Sequence, residues 1–187
     1  MLTRSEFVLK YTPYVMKLIK GTNIFPETIF AQAIIESQGL VNGTYYPLES
    51  KLSREAKNIF GIKAGSNWKG KVYNTLTAEY DGNDKRYEYA NFRAYNSFED
   101  SFKDYVDLLT LSTRYAQALK AKTFLDQVTE IKKAGYSTSP TYAVILYQIG
   151  ISVRNKINEA IESIKDTNKK TFIASVIGLL MLKLFLK

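Results

Sequence analysis

The chain changes texture once, and that change bounds what it can fold into. From Lys71 to Tyr95, Val72, Tyr73, Thr75 and Thr77 lead into Glu79-Tyr80, then Asp81-Gly82-Asn83-Asp84, then Tyr87, Tyr89, Phe92 and Tyr95. Two β-favouring runs about a D-G turn signal predict a hairpin. On both sides of it apolar residues recur at helical spacing. Phe7, Val8, Tyr11, Val15, Leu18 and Ile19 predict an amphipathic helix interrupted around Pro13. A second helix is expected from Pro26, with proline at its first position, to Gly39. The stretch Leu40 to Gly70 is rich in Gly, Asn, Ser and Lys and reads mostly as loop with short helical pieces. Beyond the hairpin, helices are expected over Ser97–Thr110, Thr113–Lys120 and Thr123–Ala134, with a long one from Ser139. In that last helix Ile149, Val153, Ile157, Ile161 and Ile164 form a core stripe. The class implied is α+β, mainly α, with one small β-lobe.

Composition narrows the chemistry. With 187 residues, 45% apolar and 24% charged, the chain is one large domain or one domain with an appendage. It has no cysteine and no histidine. Disulfides, thiolate or imidazole metal sites, Cys nucleophiles and Ser-His-Asp hydrolysis are thereby excluded. Acid–base work near pH 7 falls to carboxylates, Tyr or Lys. Lys plus Arg exceed Asp plus Glu by 26 to 18, a net charge of +8. That favours an anionic partner such as nucleic acid, an anionic lipid surface or a bacterial wall polymer. The cations are dispersed rather than clustered in a stripe, which argues against nucleic acid.

The two ends differ. The N-terminal residues lack the apolar core and cleavage site of a signal peptide. At the C-terminus, Phe172–Leu182 is uncharged, Lys183 interrupts, and Leu184-Phe185-Leu186 resume. As a helix, residues 172–186 reach about 22 Å, short of the roughly 30 Å hydrocarbon core. Lys169, Lys170 and Lys187 flank the run as interfacial anchors would. The reading divides the chain into a domain over 1–166 and a tail over 167–187. The tail is either membrane-associated, spanning or half-inserted, or else a buried helix closing the core or an interfacial one.

Among the 18 acidic residues most lie beside lysines on helix faces, as in Lys156/Glu159 and Glu162/Lys165. Glu36 differs. It sits in FAQAIIESQG, on a helix otherwise nearly all apolar, with Gln32 one turn earlier on the same face. Burial and the helix's negative end would both raise its pKa, the condition for an acid protonated near neutrality. An exposed Glu at a frayed helix end fits the same position. Glycoside hydrolysis would need a second carboxylate. Glu79 is preferred because it precedes the turn, whereas Asp81 and Asp84 are better explained as turn residues. Trp68, the single tryptophan, lies in a Gly-rich loop and suits either a sugar ring or a cap over the core.

These residues also carry a resemblance. AQAIIESQG (Ala31–Gly39) followed by NIFGIKAGSNWKG (Asn58–Gly70) resembles the glucosaminidases of glycoside hydrolase family 73, whose members include autolysins and phage lysins. TLTAEYDG (Thr75–Gly82), YANFRAYNSFEDSFKDYVDLL (Tyr89–Leu109), RYAQAL (Arg114–Leu119) and AGYSTSPTYAVIL (Ala134–Leu146) follow in the family's order. The resemblance places the family's catalytic acid on Glu36, a second acid on Glu79, and the active-site aromatic on Tyr136, with Tyr142 as a second candidate. Asn58, Phe60, Ile62 and Lys63 would shape the groove floor, with Gln32 and Trp68 as further candidates for contact with glycan. Two departures stand out. The family's E-S-G-x-G is here Glu36-Ser37-Gln38-Gly39-Leu40, and its T-D-P is Thr138-Ser139-Pro140, where Ser139 is able to cap the following helix.

The resemblance implies a lysozyme-like fold with a glycan groove between a helical lobe and the β-lobe. It implies an endo-acting enzyme that hydrolyses the β-1,4 bond between N-acetylglucosamine and N-acetylmuramic acid in peptidoglycan. No metal or cofactor would be needed, and the expected state is a monomer. Such an enzyme would stay cytoplasmic until released, as a phage lysin does, or sit at the inner membrane through its tail. The alternative is a non-catalytic glycan-binding or structural module of a wall-penetrating or injection machine.

Overall fold

The computed structural model describes residues 1–81 and 84–185, with side chains for all of these except 78–81, 84, 85 and 174–185. Most helices begin where a short polar side chain closes the first turn. Helix α1 (Arg4–Ile19) opens on a capping box, in which Thr3 Oγ1 accepts from the Glu6 amide and the Glu6 carboxylate accepts from the Thr3 amide. It runs unbroken through Pro13, contrary to the expected interruption. Proline inside a helix costs about 3 kcal/mol. Phe7, Val8 and Tyr11 before it, and Val15 and Ile19 after it, are all buried, and that packing holds the two halves in line.

Helix α2 (Pro26–Ser37) has no side-chain cap of its own. Gln127, from α5 (Phe124–Lys133), supplies one across the core. Its Oε1 accepts from the Phe25 amide at 3.0 Å and the Thr28 hydroxyl at 2.7 Å. Its Nε2 donates to the carbonyls of Asn23 and Ala118. At the other end α2 stops two residues short of Gly39. The chain leaves through Gln38 in extended backbone, φ −67° and ψ 141°, a conformation open to any residue. Gly39 is different, because a Cβ there would lie 2.2 Å from the Glu49 carbonyl oxygen. The glycine this turn requires is therefore at 39, and Gln38 is accommodated.

The expected loop after α2 contains a small antiparallel pair, β1 (Gly39–Val41) and β2 (Thr44–Tyr46), and a short helix α3 (Lys51–Ala56). Asn42 and Gly43 both have positive φ, 49° and 79°, which an Asn-Gly hairpin turn demands. The main hairpin forms as expected. Strands β3 (Lys71–Asp81) and β4 (Asp84–Ala94) pair from Lys71↔Ala94 to Asp81↔Asp84, and Gly82 and Asn83 lie outside the described residues. Residues 62–64 run along β4, where the Arg93 amide donates to Ile62 and the Ala64 amide to Asn91.

Helix α4 (Phe98–Leu111) starts on a second capping box, Ser97 with Asp100. The helix expected over Thr113–Lys120 is two 3-10 turns instead, Thr113–Tyr115 and Ala118–Lys120. Helix α6 (Tyr142–Phe185) begins after Thr141 rather than at Ser139, since the Ile145 amide donates to the Thr141 carbonyl. Helix α2 is almost wholly buried and packs against α1, α5 and α6. Phe7, Phe30, Phe102, Tyr105, Leu146 and Ile157 fill the core. Phe60 stacks on Tyr105 at 4.0 Å between ring centres, tying the segment before β3 to α4. The result is mainly helical with small antiparallel strand pairs, the α+β class anticipated. Helix α6 crosses the expected 166/167 boundary without a break, and residues 165–173 are exposed along it.

Candidate active site

A cleft of about 450 Å³ opens at the C-terminal end of α2, lined by Glu36, Phe60, Ile62, Lys63, Arg93 and Tyr136 among others. Glu36 occupies the last turn of α2. Its Oε1 accepts a 2.6 Å hydrogen bond from the hydroxyl of Tyr142, in the first turn of α6. The packing of α2 on α6 brings the two together. Burial pushes the Glu36 carboxyl above the usual range, and the Tyr142 hydrogen bond partly opposes that shift. The Tyr142 hydroxyl is itself driven far upward, first by burial and then by the adjacent Glu36 charge.

Tyr136 stands beside this pair. Its ring stacks on Tyr142 at 6.0 Å and meets Tyr105 edge-on at 6.0 Å, and its hydroxyl donates to the Phe60 carbonyl at 2.8 Å. Burial raises the Tyr136 hydroxyl well above its ordinary value. The turn that presents Tyr136 is held by Arg114, whose guanidinium donates to the carbonyls of Ala134 and Gly135. Gly135 has φ +79°, and a Cβ there would crowd Arg114 Nη2.

Several residues singled out in the sequence lie behind the cleft rather than in it. Gln32 is fully buried and bonds to Tyr142 and Tyr105. Asn58, also buried, accepts from the Ile62 amide and donates to the carbonyls of Ile62 and Arg93, stitching the cleft wall to β4. Trp68 lines a separate depression with Lys71 and Tyr95. Its indole N–H donates to the Lys71 carbonyl, and its ring supports Arg93, whose guanidinium carbon lies 4.7 Å from the ring centre. Phe60, Lys63 and Tyr136 line the cleft, and Tyr142 sits at Glu36. Glu79 is carried by β3 opposite Arg86, and its side chain lies outside the described residues.

Arg93, Arg114 and Tyr115 also line the cleft and were not assigned roles from the sequence, although the F-R and R-Y pairs containing them were visible. Arg93 makes a two-oxygen ion pair with Asp104, 2.8 Å to each, and Tyr95 donates to the same carboxylate. Among the described residues Glu36 is the one carboxylate lining the cleft, facing Lys63, Arg93 and Arg114. No group of three or more acidic side chains among them is placed to hold a metal ion. A half-buried acid with raised proton affinity, in a cationic and aromatic groove, is equipped to donate a proton to a bound anionic or polar ligand.

The family model for glucosaminidases, described as mannosyl-glycoprotein endo-beta-N-acetylglucosaminidase, matches residues 12–165. The chain belongs to that family. It is 34% identical over 145 residues to the peptidoglycan hydrolase FlgJ of Vibrio parahaemolyticus, covering 77% of this chain and 46% of the relative. It is 26% identical over 167 residues to the exo-glucosaminidase LytG of Bacillus subtilis, covering 84% of this chain and 56% of that one. A crystal structure of a peptidoglycan hydrolase from Sphingomonas sp. A1 superposes with a TM-score of 0.64 at 28% identity, over 83% of this chain and 94% of the other. The chain thus spans under half the length of its V. parahaemolyticus relative and nearly all of the solved one. The match places the chain in a family of glycoside hydrolases with a lysozyme-like fold.

Proposed function

We propose that the protein cleaves the β-1,4 bond between N-acetylglucosamine and N-acetylmuramic acid in peptidoglycan, in wall lysis or remodelling, with Glu36 as general acid. The observation that carries this reading is Glu36 itself. It is the one described carboxylate lining the cleft, its proton affinity is raised by burial, and it is anchored by Tyr142. An acid of that kind protonates the leaving glycosidic oxygen. Glu79, on the hairpin, is the second carboxylate; it activates water, steadies the positive charge that develops on the sugar, or leaves that work to the substrate's own acetamido group. The names of the V. parahaemolyticus and Sphingomonas relatives support peptidoglycan as substrate. The cations Lys63, Arg93 and Arg114 suit a glycan that bears carboxylates.

Mass analysis of reduced muropeptides after digestion of purified peptidoglycan tests the bond. Release of N-acetylglucosamine at the reducing end is expected, and reducing-end N-acetylmuramic acid would sink the assignment. A ladder of fragments marks endo action, and single sugars mark exo action like that named for the B. subtilis relative. Glu36→Gln should abolish activity with the circular dichroism spectrum unchanged, and Glu79→Gln should lose most of it. A wild-type protein that binds wall without cutting it would favour the non-catalytic module instead. We propose further that residues 172–186 rest on a lipid surface.

A further inference from the structure

Glu36 is held by a chain of hydrogen bonds in which each donor is specified. Tyr105, on α4, donates to Gln32 Oε1. Gln32 Nε2 donates to the Tyr142 hydroxyl oxygen at 3.1 Å, and Tyr142 donates to Glu36 Oε1 at 2.6 Å. Gln32 lies one turn before Glu36 on α2 and has no exposed surface, so water does not substitute for either partner.

A phenol carries one proton. While Tyr142 accepts from the Gln32 amide, its own proton is directed at Glu36 Oε1, and that oxygen is confined to accepting. A protonated Glu36 then has its proton on Oε2. The reversed amide would have Tyr105 accept and Tyr142 donate to Gln32. Tyr142 would in that case accept from Glu36, drawing the acid's proton inward onto Oε1, away from any ligand. We propose that Gln32, backed by Tyr105, is a positioning residue that fixes Tyr142 as a donor to Glu36 and so keeps the transferable proton on Oε2. The proposal rests on the reading of Glu36 as the general acid.

Other groups surround the carboxyl. Tyr142 faces it from α6, Tyr105 from α4 and Tyr136 from the turn after α5, all three with hydroxyls raised by burial and by its charge. Lys63, Arg93, Arg114 and Tyr115 share the cleft. The network's effect must therefore be read as a difference between variants in the same charge field.

The experiment follows the Glu36 carboxyl by 13C NMR of glutamate-labelled full chain, assigned by its loss in Glu36→Gln. Gln32→Met with Tyr105→Phe replaces both interior partners by apolar groups, which leaves no orphaned hydroxyl in the core. The Glu36 titration should then move upward by about one pH unit, tenfold in proton affinity, because Tyr142 is no longer held as a donor to the charged form. Tyr105→Phe alone, which removes only a hydroxyl, should move it in the same direction by less. In a Tyr142→Phe background, adding Gln32→Met should move it no further, since Gln32 acts through Tyr142. A loss of packing alone would add in both backgrounds. An unchanged titration in both Tyr105→Phe and the double variant, or a shift that persists without the Tyr142 hydroxyl, overturns the proposal. In activity, kcat should fall about tenfold in the double variant with KM unchanged. If Glu36→Gln still cuts wall while the titration pattern holds, the assignment of the acid fails and the positioning network stands.

Discussion

The Glu36 carboxyl is held at a cost to the fold. Because burial raises its folded pKa above the unfolded value, the native state binds this proton more tightly than the unfolded chain. Stability from this group is therefore highest below the unfolded pKa. It falls as pH climbs from there through the raised folded value, and stays lowered at neutral pH. Glutamine keeps an oxygen for the Tyr142 hydroxyl but carries no charge. Glu36→Gln should melt higher than wild type at pH 7, by roughly 2–4 °C for each kcal/mol relieved. The gain should vanish near pH 3, about one unit below the unfolded glutamate pKa, where both states of wild type are protonated. Scanning calorimetry at the two pH values checks this, and equal gains at both would mean that ionisation is not the cause. Glu36 was legible in the sequence because one acid on an apolar helix is conspicuous, and Gln32 because it shares the same face. What Gln32 touches was not legible, since its partners Tyr105 and Tyr142 lie 73 and 110 residues away. Arg93 and Arg114 escaped for a related reason. A surface arginine and one braced by Asp104 and Trp68 look alike in sequence.

At the level of elements, periodicity located the helices and the main hairpin, and local turn chemistry located their ends less well. The Asn42-Gly43 pair is a hairpin signal in its own right. Strands of three residues carry no alternation to support it, and the segment read as loop. Pro13 suggested a break that the apolar residues on both sides overrule. The start of α2 shows the limit most clearly, because its cap arrives from another helix. Gln127 satisfies the Phe25 amide, the Thr28 hydroxyl and two carbonyls while 1% exposed. Leucine there would fill similar volume but strip the Phe25 amide, the Thr28 hydroxyl and the Asn23 carbonyl of this partner, while the Ala118 carbonyl keeps the Ala121 amide, at about 1–3 kcal/mol for each buried orphan that finds no water. Gln127→Leu should therefore destabilise the protein by at least about 2 kcal/mol in urea denaturation. A change below about 0.5 kcal/mol would show that water replaces the cap. Since α2 also carries Gln32 and Glu36, loosening its start should reach the cleft as well.

For the molecule as a whole, α6 joins two environments. Its first half is core, with Leu146, Ile149, Val153 and Ile157 buried against α1, α2 and α5. Residues 165–173 are exposed, with Phe172 at 69% and Ile173 at 47%. The 44-residue helix is about 66 Å long, far more than the domain needs to close its core. Beyond Ile173 the sequence continues apolar, and the side chains of 174–185, with all of 186–187, lie outside the described residues. Among the described residues no helix is long and apolar enough to cross a membrane. A helix lying in the headgroup region needs no full span, and it gains from apolar side chains below and lysines above. The sequence supplies Lys169, Lys170, Lys183 and Lys187, each worth about 1 kcal/mol near an anionic surface. Full-length protein should sediment with phosphatidylglycerol-containing vesicles at least about tenfold more than with phosphatidylcholine alone, an excess that salt removes. Replacing Leu179 and Leu180 by lysine should abolish sedimentation even though it adds positive charge, because the apolar anchor is lost. A charge-only attachment predicts the opposite, stronger binding, and that result, or equal partition of both proteins into the supernatant, would remove the lipid-surface reading.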